Sequence, residues 1–344
     1  MVFVYKINDE FDVLGELRST FNSYSGNDRG TTKSLLDAAF YSEYQSRNTK
    51  EHFFGMVNYK ETFMDGDIDL RASIGGEVVS NEYNRLSANT NGDLSIPGFY
   101  NLAGSTDPIS ANSSLTKSKT RGAFIKTSLG YKDFAYLDAS YRLDWSSTAK
   151  PTDNRVNTFG VSGSVLLHEI LPQNDVISFA KVRAGYASAP YFPGQYNITS
   201  TYDAGDLYQG NGTLSVPNTQ ANGDLVGGTR GEFEIGTEIR FLNDKFGMDF
   251  TYFNRTDEDL PIGVSLDGST GYTGITLNSG KTTSNGIEIA LNASVIQKQD
   301  FSWNVGVNIG TLNKTVYAIY PGVESYNIST YTSNMKLQAR VGEE

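Results

Sequence analysis

The sequence predicts an all-β fold of long antiparallel strands. Residues 68–74 and 301–309 alternate between apolar and polar side chains, so each stretch would present one apolar and one polar face as a strand. The 344 residues include 35 glycines, 21 tyrosines and 19 phenylalanines but only 19% charged residues, which is typical of strands and turns. Such strands fit either an antiparallel β-barrel that spans a membrane or a soluble β-sandwich.

Twelve strands follow from this alternation and from the turn signals between them. Asp65-Gly66, Lys132-Asp133 and Asn243-Asp244 predict tight hairpin turns. The other connections are much longer and contain no helical periodicity. The predicted strands are 2–8, 12–21, 51–62, 66–79, 120–131, 134–146, 156–168, 178–189, 232–242, 245–255, 284–294 and 300–312, and the long connections are about 22–50, 80–119, 190–231 and 256–283.

Short turns on one side and long loops on the other are typical of transmembrane barrels, with the turns periplasmic and the loops extracellular. The two faces of the strands support the same reading. Apolar positions in 137–145 and 246–252 end in aromatic rings, as in a membrane-interface girdle. The opposite faces carry charged ladders that suit a wet lumen, whereas packing of the apolar faces in a sandwich core is the alternative. These ladders are Glu232, Glu234, Glu238 and Arg240, and Asp138, Arg142 and Asp144.

Composition excludes several other classes of function. The net charge of −11 argues against binding of nucleic acid, and a chain without cysteine has neither disulfides nor thiolate metal sites. No run approaches the roughly 20 apolar residues of a transmembrane helix. The start of the sequence, Met1 to Tyr5, reads as a strand and not as a signal peptide.

Catalytic chemistry has no support in the sequence either. His52 and His168 lie far apart, and residues 274–282 depart from the spacing of a phosphate-binding loop. The acidic stretch 65–69 is interpreted as a hairpin turn with carboxylates facing the lumen, and calcium binding is the alternative. Residues 257–259 are interpreted as solvated loop residues, and cation binding is the alternative. We therefore predict no catalytic residue, no metal site, no cofactor and no enzymatic activity.

Several motifs resemble those of SusC/RagA-like TonB-dependent outer-membrane transporters. Residues 130–148, which begin Gly-Tyr-Lys-Asp-Phe, resemble a hallmark hairpin of that family, and 233–238 resemble its Glu-x-Gly-x-Glu strand. Further motifs follow in the family's order at 270–272, 277–280, 285–289 and 339–343. Leu143 stands where the family usually has Asn, and residues 222–228 replace an expected Asn-Pro-x-Leu-Lys-Pro-Glu stretch.

This resemblance implies a barrel of about 22 strands with an N-terminal plug domain and a segment that contacts TonB. We find no counterpart of the plug, of the contact segment or of a signal peptide, so we expect residues 1–344 to form a single partial barrel domain that does not transport by itself. The resemblance also implies import of an oligosaccharide or a peptide across the outer membrane, with a SusD-like surface lipoprotein, the TonB complex and the lipid bilayer as partners.

Aromatic side chains in the long loops are the predicted ligand contacts, because their flat faces stack on sugars or pack on peptides. They are Phe99, Tyr100, Tyr191, Phe192 and Tyr196. Packing of each ring within its own loop is the alternative. At the level of the whole protein, the alternatives are a TonB-dependent receptor for a siderophore or other small ligand, and a soluble all-β structural or adhesive surface protein.

Overall fold

The computed structural model describes residues 1–31, 38–172, 175–331 and 335–343, and most of them lie in strands. Helical structure in this part of the chain is limited to α1 (Leu167–Ile170) and three 3-10 turns, Met64–Gly66, Leu102–Gly104 and Gly268–Thr270. No helix in the described ranges is long and apolar enough to cross a membrane. The strands are β1 (Val2–Lys6), β2 (Phe11–Arg29), β3 (Tyr41–Phe63), β4 (Ile68–Leu94), β5 (Ser105–Tyr131), β6 (Ala135–Ser146), β7 (Arg155–Leu166), β8 (Ile177–Tyr191), β9 (Asp203–Tyr208), β10 (Asn211–Ser215), β11 (Thr219–Gln220), β12 (Gly228–Phe241), β13 (Phe246–Glu258), β14 (Pro261–Ser265), β15 (Gly274–Asn278), β16 (Lys281–Gln297), β17 (Ser302–Gly310), β18 (Asn313–Ala318), β19 (Ser325–Thr330) and β20 (Lys336–Arg340).

One large sheet dominates the fold. Its strand order is β1-β2-β3-β4-β5-β6-β7-β8-β12-β13-β16-β17, and β18 pairs with β16 beside β17. The pairings from β6 to β17 are all antiparallel. The predicted all-β class and the predicted number of about twelve strands are therefore confirmed. Within the described residues the order begins at β1 and ends at β17, so the sheet is open.

Tight turns join the strands at one end, as predicted. Lys132 and Asp133 have φ of 47° and 56°, which is the left-handed conformation that both central residues of a type I′ turn require. Asn243 and Asp244 have φ of 54° and 63°, and Asp65 has φ of 56°. Asp and Asn tolerate this region better than most residues. The turn sequences thus fix the hairpins β3–β4, β5–β6 and β12–β13.

Two predicted long connections are wrong. The strands β2 and β3 extend into 22–50, and β4 and β5 extend into 80–119, so that only residues 95–104 connect β4 to β5. Apolar alternation does not mark these extensions, because their side chains are mostly polar on both faces. Polar groups there support the pairing: the Ser105 hydroxyl accepts from the Asn91 amide at 2.8 Å, and the Thr106 hydroxyl accepts from the Asp93 amide at 2.9 Å. The connections 190–231 and 256–283 contain the short strands β9–β11, and β14 and β15.

The chain divides into two compact units. The first comprises residues 1–3, 15–54 and 77–120, and the second comprises residues 4–14, 55–76 and 121–344. The first unit has a small buried cluster of Ala39, Tyr41 and Leu94, against which Tyr100 and Leu102 pack. The second unit contains β6 to β20, and its large sheet has two chemically different faces.

The apolar face of the second unit's sheet is exposed. Ile235 on β12 is 44% exposed and Val307 on β17 is 46% exposed, although both belong to the alternating apolar sets of their strands. Soluble proteins bury such faces, and large exposed apolar surfaces mark contact with a protein or a membrane. In the described residues no second sheet covers this face, so the β-sandwich alternative does not describe these strands.

Candidate ligand-binding surfaces

The polar face of the second unit carries arginine–carboxylate pairs that cross between strands. The Arg183 guanidinium on β8 donates to both carboxylate oxygens of Asp249 on β13, at 3.0 and 2.8 Å, and to the Thr251 hydroxyl at 2.6 Å. Arg230 pairs with Asp257 at 2.6 and 3.1 Å. Two-point contacts of this kind fix the guanidinium in orientation as well as in position.

Gly236 explains how Arg183 reaches a strand that is not its neighbour. Gly236 on β12 lies opposite Arg183 on one side and opposite Thr251 on the other. A Cβ atom at Gly236 would lie 3.0 Å from the Arg183 Cζ and 2.8 Å from the Phe250 carbonyl oxygen. The missing side chain therefore opens the path that the guanidinium takes across β12. This glycine is the central residue of the predicted Glu-x-Gly-x-Glu strand.

A cavity of about 1120 Å³ lies on this polar face, within the second unit. Its lining is rich in charged and hydroxyl side chains, which include Asp138, Ser140, Ser162, Lys181, Arg183, Glu232 and Glu234. Three of the seven residues predicted to form charged ladders, Asp138, Glu232 and Glu234, line it. The polar side of the strands thus faces a cavity.

Two of the predicted ligand contacts, Phe99 and Tyr100, lie in the first unit, in the 95–104 connection. Phe99 is 52% exposed. Tyr100 is half-buried against the Ala39, Tyr41 and Leu94 cluster, and the Arg29 guanidinium lies 5.5 Å from its ring centroid. The Tyr100 ring therefore packs against other residues of the protein, whereas the Phe99 ring faces solvent.

The other three predicted contacts, Tyr191, Phe192 and Tyr196, lie together in the second unit, at the end of β8 and in the connection that follows. A Cβ atom at Gly227 would lie 2.8 Å from the Phe192 ring, so Phe192 packs closely on that segment. Tyr191 and Tyr196 are 49% and 47% exposed. Tyr196 has φ of 63°, an uncommon conformation for a bulky residue.

A second cavity, of about 210 Å³, opens beside Tyr196. Tyr202 and Tyr272 also line it, together with Asn197 and Gln220. Sequence reasoning missed this cavity, because these residues come from separate connections. They meet through the parallel pairing of β11 with β15, in which Gln220 lies opposite Ile275. No local sequence signal predicts a parallel pairing of two residues between distant loops.

The Asn278 side chain joins the two long connections 190–231 and 256–283. Its side-chain oxygen accepts from the Val226 amide at 3.0 Å, and its side-chain nitrogen donates to the carbonyls of Val226 at 2.9 Å and Asp259 at 2.7 Å. We call these three hydrogen bonds the Asn278 clasp. Leu225, the residue before Val226, is 0% exposed, and its carbonyl accepts from the Lys150 amide at 2.7 Å. The 222–228 segment, which departs from the family pattern, is thus fixed by buried and hydrogen-bonded groups.

The prediction that 257–259 are solvated loop residues is wrong for Asp257, which is a buried residue of β13. It agrees with the exposure of Asp259, which follows β13, whereas Glu258 is exposed but is the last residue of that strand. Asp257 is 5% exposed and is paired with Arg230, and Glu258 pairs with Lys281 at 2.9 Å. Burial raises the pKa of the Asp259 carboxyl, and the charge of Glu258 raises it further. The sequence could not reveal these partners, because Arg230 and Lys281 meet this stretch only through strand pairing.

The two histidines have ordinary polar partners. His52 lies 2.7 Å from the Glu77 carboxylate, and His168 Nδ1 lies 3.2 Å from the Ala180 carbonyl oxygen. Within the described ranges, no three His, Asp or Glu side chains come together in a group that could hold a metal ion. The surfaces described above present ring faces, amides, hydroxyls and paired charges, which are groups that can bind a ligand.

Comparison with known proteins agrees with this geometry. The family model "TonB dependent receptor-like, beta-barrel" matches residues 3–340. TonB-dependent receptor SusC of Bacteroides thetaiotaomicron is 25% identical over 228 residues, which is 58% of this chain and 22% of SusC. TonB-dependent receptor P26 of Formosa agariphila is 23% identical over 217 residues, which is 60% of this chain and 21% of P26. The chain spans about a fifth of the length of these curated relatives.

Solved structures show the same fold. A structure of the RagAB peptide transporter superposes with a TM-score of 0.82 at 16% identity and covers 97% of this chain and 38% of the matched chain. The copper transporter OprC gives a TM-score of 0.58 at 13% identity, over 91% of this chain and 45% of the matched chain. The SusC/RagA-like resemblance of the motifs is confirmed, and the chain belongs to the TonB-dependent receptor-like β-barrel family.

Proposed function

We propose that residues 1–344 are part of one barrel domain of an outer-membrane transporter that imports a nutrient in a TonB-dependent manner. The observation that carries the proposal is the two-faced sheet: its apolar side chains are exposed and its charged side chains surround a cavity. In a transmembrane barrel, the exposed apolar face contacts lipid and the charged face lines a water-filled or plugged lumen. Such a transporter selects its ligand by binding alone and makes or breaks no covalent bond in it.

The transported ligand is an oligosaccharide or a peptide, delivered by a SusD-like surface lipoprotein and released by the pull of the TonB complex. These partners follow from the SusC/RagA resemblance and from similarity to SusC and to the RagAB peptide transporter. Phe99, Tyr191 and Tyr196 are the best placed of the predicted ligand contacts, since about half of each side chain is exposed. Tyr100 and Phe192 support their loops and offer less free ring surface.

Migration of the native protein in a gel tests the barrel. Outer-membrane and soluble fractions of the native host are compared with and without boiling, by a blot with an antibody against this segment. We expect a band far above 37.7 kDa in the outer membrane that shifts on boiling, since a closed barrel resists detergent until it is heated. A soluble band near 37.7 kDa that does not shift would contradict the proposal.

A gene disruption then tests import. We expect loss of the transporter gene to abolish growth on one complex nutrient and to leave growth on its monomers unchanged, because small molecules enter by other routes. A neighbouring gene for a surface lipoprotein supports the SusD-like partner. Loss of growth under iron limitation instead would favour the alternative of a siderophore receptor.

A further inference from the structure

The smaller cavity beside Tyr196 has a lining of unusual chemistry. Its lining residues include three tyrosines, Tyr196, Tyr202 and Tyr272, the amide residues Asn197 and Gln220, and Thr276. Among the residues that the structure describes, none that lines the cavity carries a charge at neutral pH. This is notable in a chain with a net charge of −11, whose larger cavity is lined by both acids and bases.

Several of these polar groups are available to a ligand. In the described part of the chain, the amides of Asn197 and Gln220 and the hydroxyls of Tyr202 and Tyr272 make no hydrogen bond to other protein groups. Burying such groups without a partner is costly, so an occupant that covers them must supply donors and acceptors of its own. A purely apolar side chain does not meet this requirement.

The size of the cavity limits the occupant. A volume of about 210 Å³ lies below the roughly 300–1,000 Å³ of pockets that enclose drug-sized ligands. It therefore accepts one ring-sized unit of a longer ligand and leaves the rest of the ligand outside. The tyrosines favour a flat, weakly polar face on that unit, because aromatic rings combine a large apolar surface with a polar edge.

We propose that this cavity binds a single neutral sugar ring of an oligosaccharide, which would identify the ligand class of the transporter proposed above. A pyranose has apolar C–H faces for the tyrosines and several hydroxyls for the amides, and it carries no charge. A peptide chain fits the lining less well, since its charged termini and side chains find no counter-charge there. The inference rests on the proposed function for the rest of the binding path.

Calorimetric binding to the complete transporter in detergent tests this site. The probes are five neutral hexasaccharides (cellohexaose, maltohexaose, laminarihexaose, mannohexaose and xylohexaose), with oligogalacturonate and a tryptic digest of casein as charged and peptide probes. We expect at least one neutral hexasaccharide to bind and Tyr272→Ala to weaken it about tenfold, as loss of one stacking ring implies. Tyr272→Phe should retain most of the affinity.

Tyr208→Ala is the matched control. Tyr208 lies on β9 in the same long connection and is 69% exposed, but it does not line the cavity. Equal affinity of the wild type and Tyr272→Ala would overturn the proposal, and so would binding of only oligogalacturonate or casein peptides or of none of the neutral probes. Because the gel migration and the growth phenotype do not depend on these probes, failure of the sugar site leaves the import proposal to be judged separately.

Discussion

At the scale of single residues, glycines and charged side chains on the polar face act together. The sequence predicts which residues share this face, because alternation assigns every second side chain to one side. It does not predict that Arg183 passes over Gly236 to reach Asp249, since partners two strands apart depend on register. The same limit explains why the sequence predicts a solvated Asp257, although this residue is buried and paired with Arg230.

Substitution of Gly236 tests the crossing path. We expect Gly236→Ala to lower the free energy of unfolding of the complete transporter by about 1–3 kcal/mol, because the new methyl group crowds the Arg183 guanidinium and a backbone oxygen. Urea unfolding of the two proteins in lipid vesicles measures this difference in the free energy of unfolding. Gly306→Ala is the control, since a Cβ atom there meets only the Leu291 carbonyl oxygen at 3.9 Å. Equal effects of the two substitutions would contradict the role of Gly236.

Asp259 predicts a dependence of local stability on pH. Burial raises the pKa of this carboxyl, so its contribution to stability is complete below the ordinary pKa of an unfolded aspartate. The contribution is lost as the pH rises through the raised value of the folded state. We expect Asp259→Asn to increase hydrogen-exchange protection of residues 258–262 at pH 7 but not at pH 4, after correction for intrinsic exchange rates.

The pKa of Asp267 is shifted in the opposite direction to that of Asp259. The side-chain and backbone hydrogen bonds of Ser269 lower the pKa of the Asp267 carboxyl. Its contribution to stability is therefore present above the ordinary aspartate pKa and is lost as the pH falls through the lowered value. Asp267→Asn should reduce protection of 267–271 at pH 7. The same direction of change for both variants at pH 7 would refute the assignment of these shifts.

At the scale of elements, strand type and hairpin turns were predictable and strand length was not. Alternation and the Asp-Gly, Lys-Asp and Asn-Asp turns predict the hairpins because both are local signals. The extensions of β2 to β5 escaped prediction because no apolar face marks them. The small strands β11 and β15 escaped because their pairing is remote and only two residues long.

Charge substitutions on the two strand faces should have unequal costs. We expect Ile235→Arg, on the exposed apolar face, to destabilise the transporter by about 2–4 kcal/mol, the cost of arginine near the middle of a bilayer. Ser162→Arg, on the face that lines the large cavity, should change stability little. Unfolding in lipid vesicles compares the two. If Ser162→Arg is the more harmful substitution, the assignment of the faces is reversed.

The Asn278 clasp should limit local opening of the connections that it joins. Asn278→Ala removes all three side-chain hydrogen bonds and leaves the Val226 amide without its partner. We expect faster hydrogen exchange in 222–228, corresponding to about 1–3 kcal/mol of local stability. Asn211→Ala removes one long bond of 3.4 Å in the β9–β10 hairpin and serves as the control. Unchanged exchange in 222–228 would exclude this role.

At the scale of the whole molecule, the short turns and the long connections lie at opposite ends of the strands. A chain without cysteine allows a direct test of sidedness with single new thiols. In intact cells, an impermeant maleimide should label Asn211→Cys, in a long connection, and should label Asp300→Cys, in the β16–β17 turn, only after the outer membrane is opened. Labelling of Asp300→Cys in intact cells would reverse the proposed orientation.

The left-handed turn residues also bear on how such a sheet assembles. Lys132 and Asp133 form a short turn between β5 and β6. Because the turn is short, closing this hairpin costs little chain entropy. Hairpins of this kind form in about 1–10 μs, far faster than pairings that must close a long loop. We therefore expect β5 and β6 to pair early in assembly. The long connections then join strands already held in hairpins, so we expect their length to have less effect on the rate of assembly.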